Sequence, residues 1–313
     1  MVVEKPMNVD DKDLIEGQSV EGRPSSEPST MSYFLQRVRL AEICCNAADR
    51  GWSSRPEPDS ANYSNVIQID AQLNALSNNL PPFFVIGSRN RNELAREDPM
   101  IRVQRYFINT LLHTQRCKMH LPYVARGLTD PLCAYSRHAC LEAARLIVQN
   151  ELQLAEVQVQ FALTRLKYSA RLFGLFMANI VFLLDTCLNR SSGLRQPQRV
   201  EAIEAFRILG EAKHYSPIAA TFWDNIVQFC PKNRIQLPLL HSLDPAREHD
   251  TDPASSVSET GVGLTEWAET MEQGNQQLMN WVEEFSRHFR GPDAVLDGED
   301  WTGLLGDFDF QPL

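Results

Sequence analysis

Apolar residues recur along most of this chain at three- and four-residue intervals, the period of a helix that hides one face. In YFLQRVRLAEICCNAAD the recurring positions are Phe34, Val38, Ala41, Cys45 and Ala48, so a helix is expected from near Ser32 with that stripe turned inward. A second helix fits SNVIQIDAQLNALSNNL and stops at Pro81 and Pro82. A third starts near Pro99, where a missing N–H costs nothing, and is expected to end at Pro122. PLCAYSRHACLEAARLIVQNEL forms a fourth. The stretch QFALTRLKYSARLFGLFMANIVFLLDTCLNR is apolar around nearly its whole circumference and is expected to be a long, buried central helix. RVEAIEAFRILGEAKHY and PIAATFWDNIVQFC complete the helical block. Strand alternation bounded by hairpin turns does not occur, which predicts an all-α fold.

Outside this block the pattern fades. Residues 1–30, rich in Pro, Ser, Glu and Asp, are expected to be disordered, and residues 31–241 to form the folded domain. Residues 242–263 read as a polar linker, 264–290 as a last helix, and 291–313 as an acidic aromatic tail. In that tail Trp301, Leu304, Leu305, Phe308 and Phe310 alternate with carboxylates, a mixture suited to an acidic activation segment that folds on a partner's groove.

Charge sharpens the division. The chain is −10 overall, but residues 101–241 hold 17 Lys and Arg against 9 Asp and Glu, a net +8 that leaves −18 on the flanks. A basic middle can receive an acidic tail or an acidic partner. No basic segment leads into an apolar run at the N-terminus, so no secretory signal is expected. The uncharged run from Leu172 to Leu184 is shorter than the roughly 20 residues a bilayer requires. Seven irregularly spaced cysteines fit reduced thiols.

Candidate chemistry is sparse. Phosphate-loop, nucleophile-elbow and dinucleotide patterns are missing, so catalysis is not expected. His113, Cys117 and His120 share one helical stripe and would suit part of a zinc site. Arg116 and Lys118 flank the cysteine and no carboxylate adjoins it in sequence, which argues against a metal. Cys133 and Cys140 fit buried free thiols. His138 and Glu142, one helical turn apart, fit a surface pair. Phe173, Phe176, Met177 and Phe182 could line an apolar pocket between helices, as a small-molecule sensor would need, although close packing is the commoner arrangement.

The order of three segments carries a resemblance. VIQIDAQLNALSNNLPPFF, then IRVQRYFINTLLHTQRCKMHLPYV, then SRHACLEAARLIV resemble the fungal transcription-factor regulatory domain, the middle homology region of zinc binuclear cluster regulators. The second segment ends in Met119, His120, Leu121, Pro122, Tyr123 and Val124 where the family commonly has Leu-His-Arg-Pro-Phe-Leu, so Leu121 stands in place of the usual Arg. The resemblance covers about residues 31–235 and makes His113, Arg116, His120, Pro122, Ser136, Cys140 and Arg145 structural motif positions, with His120 and Pro122 at a helix-to-loop turn. It implies a nuclear, non-enzymatic regulator of transcription. Its partners would be transcriptional co-regulators or a related DNA-bound regulator, with a homo- or heterodimer open and no membrane. The chain has no Cys-x-x-Cys, so the six-cysteine zinc cluster and specific DNA binding are not expected from it. No cofactor is implied; zinc would enter only with such a cluster.

Overall fold

The computed structural model describes residues 5–14, 17, 21–50, 60–87, 97–124, 126–128, 130–155, 169–188 and 196–232. Among them the fold is all-helical: α1 (Ser32–Asp49), α2 (Ser60–Asn78), α3 (Pro99–Val124), α4 (Ala134–Ala155), α5 (Ser169–Leu188), α6 (Gln196–Ala212) and α7 (Pro217–Lys232). Short 3-10 turns occupy Asp11–Asp13, Pro82–Phe84, Arg126–Leu128 and Pro131–Cys133.

Local chemistry sets the boundaries. Asp98 accepts the Met100 N–H at 2.8 Å just before Pro99, so an Asx cap and a proline together start α3. Asp130 accepts the Leu132 N–H at 2.9 Å and opens the turn that leads into α4. Ser216 receives the Ala219 N–H ahead of Pro217 and opens α7.

α3 is the axis of the fold. It lies along α4 and also packs on α1, α2 and α5; α6 and α7 close over the far side of α5. One apolar cluster joins Leu40 and Ala47 of α1, Val66, Ile69, Leu73 and Leu76 of α2, and Ile108, Leu112 and Met119 of α3. α5 is buried continuously from 174 to 185, as its uniform hydrophobicity requires. Gly174 allows this closeness, since a Cβ there would stand 2.8 Å from Thr114 Oγ1 and 2.9 Å from Thr110 Cγ2 on α3. No helix among the described residues is long and apolar enough to cross a membrane.

Three expectations change. First, α3 does not end at Pro122; the proline sits inside the helix, which continues through Val124. The missing hydrogen bond falls in the final turn, where it costs least, and burial of Tyr123 and Val124 keeps that turn wound. Tyr123 packs its ring on Tyr63 of α2, centroids 4.8 Å apart. His120 is therefore a helical residue rather than part of a turn into a loop.

Second, the described part of residues 1–30 is a hydrogen-bonded loop rather than a disordered segment. The Asn8 amide donates to the carbonyls of Pro24 (3.0 Å) and Glu27 (3.1 Å), and its oxygen accepts from the Ser29 and Ser32 hydroxyls at 2.7 and 2.9 Å. Arg23 pairs with both Asp10 and Asp13. Polar side chains that look like a solvated tail in one dimension close on each other here.

Third, α1 lies with its apolar stripe outward. Phe34, Ala41, Cys45 and Ala48 are exposed and Val38 is half-buried, while Ser32, Gln36, Leu40 and Ala47 face the core. The expected polar linker, last helix and acidic aromatic tail of residues 242–313 lie outside the described residues.

Candidate functional site: a buried polar spine

α3 is amphipathic in an unusual sense. Arg105, Asn109, His113, Arg116 and His120 recur at intervals of three and four, so they share one face. That face points into the protein: none of the five is more than 6% exposed. Burying such groups costs several kcal/mol each unless every one finds a partner. For Arg105, Asn109, Arg116 and His120 the structure supplies partners from α2, from the turn after it, from the residues just before α3 and from α4.

At the N-terminal end of the spine, Arg105 Nε donates to the Phe83 carbonyl at 2.7 Å and its other side pairs with Glu97. The Asn109 amide donates to the Phe84 carbonyl at 2.7 Å. The Pro81–Phe84 stretch cannot continue α2, and its free carbonyls are thus held by α3. In this way the Leu-Pro-Pro-Phe-Phe element is pinned where two prolines leave carbonyls without helical donors.

At the C-terminal end lies the densest cluster. Asp70 of α2 is fully buried, and Arg116 grips it with two bonds, Nε to Oδ1 at 2.8 Å and Nη2 to Oδ2 at 3.2 Å. His120 Nε2 stands 3.2 Å from Asp70 Oδ1, and its Nδ1 lies 2.9 Å from the Ser136 hydroxyl. Ser136 donates onward to the Tyr63 hydroxyl at 3.2 Å. Asp70 Oδ2 also accepts from the Tyr135 hydroxyl and, at 3.0 Å, from the Asn74 amide. Glu142 of α4, half exposed, approaches Arg116 at 3.5 Å. Three helices therefore converge on one carboxylate.

Burial by itself would raise the Asp70 pKa. The contact with His120 and the bonds from Arg116 and Tyr135 overcome burial and hold the carboxyl well below the usual carboxylate range. The Asp70 carboxylate likewise keeps Arg116 charged against the effect of its burial. An anion stabilised so strongly has lost the basicity that proton abstraction needs. The cluster ties α2, α3 and α4 together.

Between the two ends sits His113, where burial and the nearby Arg116 charge lower its pKa to about 3, leaving a neutral ring. Its Nδ1 has no hydrogen-bond partner among the described residues. The candidate trio His113, Cys117 and His120 does not converge. Cys117 and Cys140 instead make a reciprocal pair of thiol–carbonyl contacts, at 3.7 and 3.5 Å, which fasten α3 to α4. Burial pushes the Cys140 thiol well up. Cys133, also a free thiol, is buried in the turn before α4. Among the described residues no group of three His, Cys, Asp or Glu could hold a metal ion.

The other motif positions fall around the spine. Arg145 leaves α4 to meet Glu201 of α6 at 2.7 Å, while Arg137, one face away, meets the buried Asp185 of α5 at 2.7 Å. His138 is exposed, and its expected partner Glu142 turns to Arg116 instead. Of the apolar set on α5, Phe176, Met177 and Phe182 are buried and Phe173 is half-buried. The Phe176 ring lies on Phe222 of α7, centroids 3.6 Å apart, so at that residue core packing occupies the space. A cavity of about 230 Å³ opens elsewhere, between the N-terminal loop and α1, with Asn8, Arg23, Leu35 and Arg39 in its lining.

Asp70 is the residue that sequence reasoning missed, though it falls within the quoted VIQIDAQLNALSNNL segment. A signal was present. It sits next to Ile69, four residues after Val66 and three before Leu73, so a charge stands on the apolar side of its helix.

Comparison with known proteins decides the family. The chain is 32% identical, over 244 residues and 76% of its length, to the probable transcription factor lepB of Aspergillus flavus. It is a member of the fungal transcription factor family. It is also 27% identical over 70% of its length to the agnestins biosynthesis cluster transcription factor AgnL11 of Paecilomyces divaricatus. The Zn(2)-C6 fungal-type transcription factor mpsB of Macrophomina phaseolina matches at 23% identity over 47% of the chain. The chain spans 42% and 31% of the length of the first two relatives. All three are named as transcription factors rather than enzymes. No protein-family model matches the chain, and no solved structure matches it.

Proposed function

We propose that the chain is the helical regulatory module of a nuclear transcription regulator and acts by contact with other proteins rather than by catalysis. The observation that carries this is the match to lepB across three quarters of the chain. The spine supports it physically. Its charged groups are consumed in joining α2, α3 and α4, and Asp70 is too acidic to serve as a base. The partners are transcriptional co-regulators or a related DNA-bound regulator. Sequence-specific DNA contact is not assigned to these residues, and no cofactor is assigned; zinc would belong to a six-cysteine cluster. The acidic aromatic stretch from Trp301 to Phe310 is the segment that recruits the transcription machinery.

The test is to fuse the chain to a heterologous DNA-binding domain and read a reporter under its operator. A change in output in either direction is expected, and removal of residues 291–313 should abolish an increase. Unchanged output at normal expression would refute the proposal.

A further inference from the structure

The cavity of about 230 Å³ beside α1 has charged walls of one sign. Lys5, Arg23 and Arg39 border it and no Asp or Glu does, in a chain whose net charge is −10. Two of these cations are already matched. Lys5 pairs with Glu42 at 2.7 Å, and Arg23 pairs with Asp10 at 2.9 Å and with Asp13 at 2.6 Å. Arg39 has no carboxylate partner among the described residues; it gives one bond, from Nη1 to the Gln36 Oε1 at 3.3 Å.

That bond fixes the orientation of the amide. A guanidinium only donates, so Gln36 turns its oxygen to Arg39 and its nitrogen the other way. Gln36 is 2% exposed and lies in the cavity wall, and its Nε2 donates to no other group among the described residues. Buried amides rarely leave their donors unused. Asn8, in the same wall, is the opposite case. Its nitrogen is spent on the Pro24 and Glu27 carbonyls, and its oxygen on the Ser29 and Ser32 hydroxyls. Unspent donors are therefore concentrated at Gln36 and Arg39, which neighbour each other on successive turns of α1. Leu35, Val38 and Pro81 supply apolar wall beside them.

We infer that this cavity binds a small organic carboxylate, its oxygens received by the Arg39 guanidinium and the Gln36 amide and its short apolar body lying against Leu35, Val38 and Pro81. A carboxylate accepts several bonds at once and brings the negative charge that Arg39 otherwise lacks. The volume sets the size. It falls below the roughly 300–1,000 Å³ of pockets for drug-sized ligands and, at about 30 Å³ per water-sized group, holds roughly eight non-hydrogen atoms. Such a ligand touches three segments: the N-terminal loop, α1, and the Pro81 turn whose Phe83 and Phe84 carbonyls are held by Arg105 and Asn109.

Calorimetric titration of the full chain with benzoate tests this, with hexanoate as a second probe of similar size. One-to-one binding with a Kd on the order of 1 mM is expected. Benzamide, which keeps the shape and drops the charge, should bind about tenfold more weakly, the worth of one charge-assisted hydrogen bond. Arg39→Gln, at an exposed position, should weaken benzoate by a similar factor. Gln36→Leu should weaken it as well, with far-UV circular dichroism to check that the variant is folded. Arg50→Gln removes an exposed cation from the other end of α1 and should change nothing. Absence of saturable binding by both probes overturns the inference. So does equal binding of benzamide, or an equal loss in Arg50→Gln, which would mark a general attraction of anions to the helix.

Discussion

The two halves of the core are held together by opposite means. Around α2, α3 and α4 the elements are joined by a buried ion pair, Asp70 with Arg116, and by the polar groups of His120, Tyr135 and Ser136 around it. Around α5, α6 and α7 the contact among the described residues is mostly apolar, with Phe176 on Phe222 and Leu175, Ile180 and Leu209 enclosed, and Asn179 as a buried polar exception that donates to the Ala205 carbonyl at 3.2 Å. Apolar packing is strong but forgiving of small shifts, because many arrangements of methyl groups bury similar area. A bidentate ion pair in a dry interior is demanding; it is satisfied in one geometry and costly in every other. The first half therefore fixes the relative placement of its helices, and the second contributes stability.

The largest effect should come from breaking that contrast at its centre. Asp70→Ala leaves Arg116 charged and enclosed, and should lower unfolding free energy by about 3–5 kcal/mol in urea titrations. Adding Arg116→Met to that variant should recover much of the loss, because the stranded charge goes with it. The apolar half should behave in the opposite way. Phe176→Ala should cost about 3–4 kcal/mol, and Phe222→Ala added to it should deepen the loss rather than relieve it. Rescue in both halves, or in neither, would erase the distinction.

Acid should loosen the charged half first. The folded pKa of His113 is below that of the unfolded chain, so below pH 6.5 the unfolded state takes up a proton that the folded state refuses until about pH 3. Its stabilising contribution is complete above pH 6.5 and fades as pH falls from there toward 3. Asp70, also depressed, adds a further loss only below its ordinary value of 3.8. Urea midpoints of the parent should thus drop across pH 6.5 to 3, and those of His113→Gln should drop less over the same range. Parallel slopes would contradict the burial of this ring.

Smaller effects test the seam between the halves. Gly174→Ala drives a methyl against Thr110 and Thr114 and should cost about 1–3 kcal/mol, read as a lowered melting temperature. Arg145→Ala removes a contact to Glu201 in which both side chains are about one-third exposed, and should cost no more than about 1 kcal/mol.

Helix positions were readable because caps and prolines mark them chemically: Pro99, Pro131 and Pro217 each stand where an element begins. The burial of α5 was readable for a simpler reason, since a helix apolar on every side has only one place to go. α1 and α3 were not readable by the same logic. Periodicity finds the apolar stripe of α1, but the core took the face carrying Gln36 and Leu40 and left the stripe outside. On α3, a row of Arg, Asn and His looks like a solvent face until the carboxylate that neutralises it is located, and Asp70 lies 46 residues away from Arg116. Periodicity reports how one helix is patterned; a buried charge is a property of two.

Tyr135 gives the enclosed carboxylate a connection to the outside. The residue is 44% exposed, yet its hydroxyl is bonded to Asp70, which has no exposure at all. A protein that clasps this ring takes hold of a lever whose short arm ends at the point where α2, α3 and α4 are tied. Docking there would be felt at once in the alignment of all three rods, without any ligand having to enter the interior.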